Sequence, residues 1–138
     1  MLNGFSKTID LIHRSMDAES VRRDVIANNL ANAEVPNFKR SELNFESALK
    51  QALESEERKP VIELLRTDPR HISNYMPLDY RDVRPRRVLD YLTQSKANGN
   101  NVDPEQEFNL LVQNQMRYML MAQSANYEFE QISNVLRG

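Results

Sequence analysis

The side chains able to do chemistry are few, and their spacing is poor for it. Two histidines are present, His13 and His71, and no cysteine. The histidines are too far apart to lie one helical turn from each other. A metal centre would need carboxylates drawn from several segments, and no pattern points to them. Without thiols, disulfides, thiolate-bound metals and cysteine nucleophiles are excluded. The pair Glu56-Glu57 sits in a charged stretch, Glu54–Lys59, with no apolar pocket to raise a carboxyl pKa for acid catalysis. Neither a Gly-rich phosphate loop nor a nucleophile elbow appears. The chain therefore reads as a structural or binding protein and not as an enzyme, with no cofactor and no small-molecule substrate.

Charge gives little more. The 138 residues carry a net charge of -2, with 28% charged and 40% hydrophobic. That balance exerts no bulk pull toward nucleic acid or an anionic membrane. The basic run Arg81-Asp82-Val83-Arg84-Pro85-Arg86-Arg87 has tyrosines only at its margins, Tyr80 and Tyr91, so nucleic-acid binding is not indicated. Two readings of it stand: a solvated loop, or a contact with an acidic surface on an adjacent subunit. No segment approaches the ~20 apolar residues that span a bilayer. The start, Met1-Leu2-Asn3-Gly4-Phe5-Ser6-Lys7, lacks a basic region followed by an apolar run, so no cleaved signal peptide is expected.

Amide side chains supply the most unusual pattern. In Ala27-Asn28-Asn29-Leu30-Ala31-Asn32-Ala33, Asn recurs at the end of an otherwise helical stretch, where its amide competes for backbone hydrogen bonds. Such amides need partners. Either they cap a fraying helix end, or they form a polar seam that fixes register against neighbouring helices. Val35-Pro36-Asn37-Phe38 follows as a turn: Pro36 presets its φ, Asn37 tolerates the left-handed region, and Phe38 anchors the reversed chain.

The elements that position these residues are two long amphipathic helices. Phe5, Ile9, Ile12 and Met16 step alternately by three and four from Leu2; the line is interrupted at Glu19 and Arg23, then resumes at Ile26 and Leu30. This predicts one helix over about 3–33, with the interruption open to a charged contact with another chain. At the other end Phe108, Leu111, Gln115, Tyr118, Ala122, Ala125, Phe129, Ile132 and Leu136 keep the same alternation, with Gln115 the one polar member. Asp103 is placed to cap that helix, Pro104 fits its first position and Gln106 completes a capping box. A helix over 104–136 would run about 50 Å, more than a small core covers, so the surplus needs a partner. The middle has a short amphipathic helix within 41–57. Beyond it Pro60, Pro69, Pro77 and Pro85 favour loops with one or two short strands. The expected fold is mainly α: long N- and C-terminal helices packed as a coiled-coil-like pair, with a short irregular middle. Its parts are 1–33, 34–101 and 102–138.

Asn28-Asn29-Leu30-Ala31-Asn32 with Pro36-Asn37-Phe38-Lys39-Arg40 resembles the N-terminal signature of bacterial flagellar axial proteins, the rod, hook and hook-associated subunits. In that family the turn usually carries Gly where Asn37 stands. Asn98-Gly99-Asn100-Asn101-Val102-Asp103, leading into a helix with Tyr118, and Thr67-Asp68-Pro69-Arg70-His71-Ile72 are similar to the small proximal-rod members. The resemblance covers both ends well and the centre loosely. It implies helical assembly through the terminal helices at the base of the rod, where the subunit links the export gate to the rest of the rod and transmits torque. It implies self-association and contacts with FlgC-, FlgF- and FlgG-type rod proteins, FliE and the export gate. It also implies type III export without a cleaved signal and a place in the periplasmic part of the basal body. The rival reading from the same stripes is a soluble helical-hairpin adaptor or chaperone that does not polymerise.

Overall fold

The computed structural model describes residues 2–57, 67–68, 70, 77–93 and 96–137, with the side chains of Leu2 and Asn3 left aside. Its elements are α1 (Leu2–Ala31), β1 (Ser41–Asn44), α2 (Glu46–Glu57), a 3-10 turn (Tyr80–Asp82), β2 (Arg86–Leu89) and α3 (Pro104–Arg137). The chain is mainly α, with long terminal helices as expected. The apolar piece Val61–Leu65 and His71 lie outside the described residues.

The chain divides into two compact units, Met1–Leu43 with Arg87–Gly138, and Asn44–Arg86. In the first, α1 and α3 form a long helical pair. Their contact runs from Asn29 with Glu107 at one end to the Phe5 and Phe129 rings at the other, edge to face with centroids 5.8 Å apart. The pair is thus joined along nearly its full length, and the polar interruption in α1 does not shorten it. Ala18, Val25, Ile26, Ala33, Val102 and Ala125 supply its buried apolar side chains. Three of these are alanines, Ala18 and Ala125 on the helices and Ala33 in the turn after α1.

Local chemistry sets the helix ends. The Asp103 carboxylate accepts from the Glu105 N–H at 3.0 Å, the side-chain cap that the sequence places there; such a cap contributes about 1 kcal/mol. α1 stops at Ala31, two residues short of the expected end. There Asn32 turns its own amide back onto the Asn28 carbonyl at 2.7 Å, the local competition that makes Asn a poor helix-interior residue.

β1 and β2 form a two-stranded sheet. The helix expected within 41–57 is thus shortened at its start: residues 41–44 are extended and α2 begins at Glu46. Extension at Ser41 follows from the Asn29 amide, which bonds both its N–H and its C=O. In the second unit α2 buries Ala52, and Phe45 and Tyr80 are buried with it. The Ser55 hydroxyl accepts from the Leu78 N–H at 2.8 Å, and Arg81 lies 5.5 Å from the Tyr80 ring centroid.

Candidate assembly interface

Asn29 is fully buried. Its Oδ1 accepts from the Ser41 N–H at 3.0 Å, and its Nδ2 donates to the Ser41 carbonyl at 2.8 Å. The same Nδ2 donates to Glu107 Oε2 at 3.2 Å. Glu107, 1% exposed, also accepts from Arg40 Nε at 3.0 Å, and Arg40 reaches Glu42 through Nη1 at 2.8 Å. A buried carboxylate survives only when its charge and lone pairs are answered this fully. One side chain thus ties α1, β1 and the first turn of α3 together. Of the two readings of the Asn segment, both hold in part: Asn32 closes its own helix end, and Asn29 forms a polar seam, within the chain.

A second polar layer lies further along the pair. Glu19, 3% exposed, accepts from the Asn114 amide, which also donates to the Glu19 backbone carbonyl at 2.9 Å. Arg22 pairs with the same carboxylate, and Arg117 approaches it at 3.9 Å. The sequence left the Glu19 interruption open to another chain; here its partners lie on α1 and α3. A cleft of about 220 Å³ runs past both layers, lined by Arg22, Arg40, Glu107, Asn114 and Arg117 among others. Its charged groups are largely engaged with one another. Among the described residues, no three His, Asp or Glu side chains gather to hold a metal.

The entry to α3 clamps the turn after α1. Asn100, fully buried, donates from Nδ2 to the carbonyls of Asn32, Ala33 and Val35 at 3.0, 3.0 and 2.8 Å. These are carbonyls of the turn that follows α1, so one amide holds the turn closed. Asn101 Oδ1 accepts from the Arg40 N–H at 2.6 Å. Asn37 takes φ 59°, the left-handed conformation expected of it. Gly99 has φ +82°, and a Cβ there would come within 2.5 Å of Asn37 Oδ1. The turn that resembles the axial signature and the loop that resembles the proximal-rod segment therefore meet.

The sequence-derived assembly residues fall into three groups. Ile26, Asn29 and Ala125 are buried within the chain. Phe5, Ile9, Ile12, Met16, Leu30, Asn32, Phe38, Leu111, Ala122 and Ile132 are half-buried. Asn28, Pro36, Asn37, Phe108, Gln115, Tyr118, Phe129 and Leu136 are exposed, though Asn28 accepts from Arg87 at 3.2 Å. The expected α3 stripe is split: Leu111, Ala122, Ala125 and Ile132 turn toward the protein, while Phe108 and Leu136 turn away. Instead of Phe108 and Gln115, the residues buried at that level are Glu107 and Asn114. Apolar periodicity could not find those two because they are polar; their one signal is heptad spacing with Met121 and Glu128.

On the outward side of α3, Phe108, Val112, Met116, Met119, Leu120 and Tyr127 are 36–62% exposed. Between Glu107 and Glu128 the only charge is Arg117. The exposed side of α1 carries Lys7, His13, Asp17, Arg23 and Asp24 instead. Exposed apolar side chains gathered on one uncharged helix face are the kind of surface that protein–protein contacts use. Among the described residues, no helix is long and apolar enough to cross a membrane.

Comparison with known proteins points to a structural subunit of the flagellar rod. The sequence pattern of the family described as "Flagella basal body rod protein" matches residues 14–39, which include Glu19 and Asn29. The chain is 42% identical to the flagellar basal body rod protein FlgB of Borreliella burgdorferi, over 99% of this chain and 100% of that one. It is 32% identical to FlgB of Bacillus subtilis, over 97% and 96%, and 23% identical to FlgB of Escherichia coli, over 99% and 98%. The chain belongs to the FlgB family of flagellar basal body rod proteins.

Proposed function

We propose that this chain is a structural subunit of the proximal rod, assembling helically with copies of itself and with other rod proteins, and that the outward face of α3 carries the assembly. The observation behind this reading is the line Phe108, Val112, Met116, Met119, Leu120 and Tyr127, left exposed on a helix with a single charge across that span. Covering those six side chains would remove roughly 600 Å² per copy, approaching the ~800 Å² per partner of a stable interface. In this role the subunit joins the export gate and FliE on one side to FlgC-, FlgF- and FlgG-type proteins on the other, transmits torque, and works in the periplasm after export without a cleaved signal. It is a mechanical part and catalyses nothing.

A strain lacking the gene, complemented with Met119→Asp, tests this. The variant is expected to accumulate and fold, because Met119 is 59% exposed, yet to leave the cells non-motile and without rods. Motile cells whose basal bodies contain the variant would refute the reading.

A further inference from the structure

α3 is rotated against its own hydrophobic interest. The side facing α1 buries Glu107 at 1% exposure and Asn114 at 4%, while Met116 and Met119 stand 59% exposed on the other side. At the levels of Glu107 and Asn114, area burial alone would favour turning the apolar line inward, because buried methylenes stabilise and buried carboxylates cost. What opposes that rotation comes from α1. Its Glu19 takes the Asn114 amide, and its Asn29 donates to Glu107 at 3.2 Å.

We infer that the two cross-helix Glu–Asn pairs, Glu19 with Asn114 and Asn29 with Glu107, form a rotational lock that holds the apolar stripe of α3 outward. The pairs are reciprocal: α1 supplies the carboxylate in one layer and the amide in the other. An ionised carboxylate only accepts, and the amide NH2 donates, so each layer is satisfied at one rotation of α3. If α3 rolled to lay the Met116 and Met119 line on α1, Glu19 and Asn29 would face aliphatic groups and thioethers, and Glu107 would leave Arg40. A buried charge stripped of its partner outweighs the gain from the apolar groups. Polar residues at core positions choose one arrangement at a cost in stability, as a lone Asn does in a coiled coil. The lock is a property of the single chain and does not depend on the rod reading.

The test uses methionine oxidation of the full-length chain by peroxide, read residue by residue in a mass spectrometer. Met121, half-buried, is the internal comparison. In the native chain Met116 and Met119 oxidise faster than Met121. In the variant Glu19→Leu, Asn29→Leu, Glu107→Leu, Asn114→Leu, that order is expected to reverse, with Met116 and Met119 slowed about fivefold by burial. Helix content stays, while the melting temperature falls because Asn29→Leu strands the Ser41 backbone groups and Glu107→Leu takes a carboxylate from the buried Arg40. An unchanged oxidation order in a folded variant overturns the inference. If that variant loses its helix content, Glu19→Leu with Asn114→Leu decides by the same ratio. Loss of helix in both overturns it too, since the pairs would then supply stability and not choose a rotation.

Discussion

Asn29 makes three hydrogen bonds from one amide, two to the Ser41 backbone and one to Glu107, with none of the side chain reaching solvent. Asn29→Ala strands two backbone groups and weakens the hold on a buried carboxylate, so a loss of about 2–4 kcal/mol is expected in denaturant melts of the monomer. Asn29→Asp keeps the shape but sets a second carboxylate beside Glu107, and should cost more at neutral pH than in mild acid. Gly99→Ala is a different case. Its positive φ and the 2.5 Å approach to Asn37 Oδ1 give an expected loss of about 1–3 kcal/mol, partly relieved by Asn37→Gly. The need for partners at Asn29 and the left-handed φ of Asn37 were legible in the sequence. Glu107 and Asn114 were not, because a buried polar residue is defined by what answers it across the fold, and pattern alone does not reveal that.

Single-residue contacts become mechanical at the level of elements. The α1–α3 pair was readable from spacing, since alternating three and four steps force an apolar stripe. The rotation of α3 was not, because two adjacent stripes compete and the polar pairs decide between them. This changes which substitutions separate folding from assembly. Phe129→Asp would disturb the ring contact with Phe5, so it should lower monomer stability as well as assembly, whereas Met119→Asp should leave the melt nearly unchanged and abolish assembly. Circular dichroism melts of the two variants make that comparison. The strand β1 was missed because a long-range amide, not local propensity, holds Ser41 extended. In the loop after β2, the Asp90 carboxylate accepts from the Thr93 hydroxyl at 2.6 Å and from the Leu92 and Thr93 N–H groups at 3.1 and 3.2 Å. The Thr93 hydroxyl above all, helped by the backbone N–H groups of Thr93 and Leu92 and the charge of Arg40, holds its carboxyl below the ordinary value against the opposing effect of desolvation. A lowered folded-state value means the turn's contribution is full above the ordinary carboxylate range and is lost as pH falls through the depressed one. Amide shifts of Leu92 and Thr93 should therefore stay constant until the pH drops below that ordinary range, and Asp90→Asn should abolish the transition.

At the scale of the whole molecule, the helical pair is tied internally by polar layers and leaves apolar side chains exposed on α3, which in the proposed role are covered by neighbouring subunits. Heterologous contacts that do not close generate open helical assemblies, the form a shaft requires. The family was legible from two short segments, Asn28–Arg40 and Asn98–Asp103, and the structure gives the physical reason they occur together: Asn100 and Asn101 bond the backbone of the turn that Asn32 to Arg40 makes. The outward face carries no motif, so its role had to come from exposure. The most direct test is a high-resolution map of this chain inside purified basal bodies. The account predicts Phe108, Met116 and Met119 covered by neighbouring rod subunits, with Glu19 still on Asn114 and Asn29 still on Glu107. A map in which those apolar side chains face solvent, or face α1 with the polar pairs broken, would contradict it.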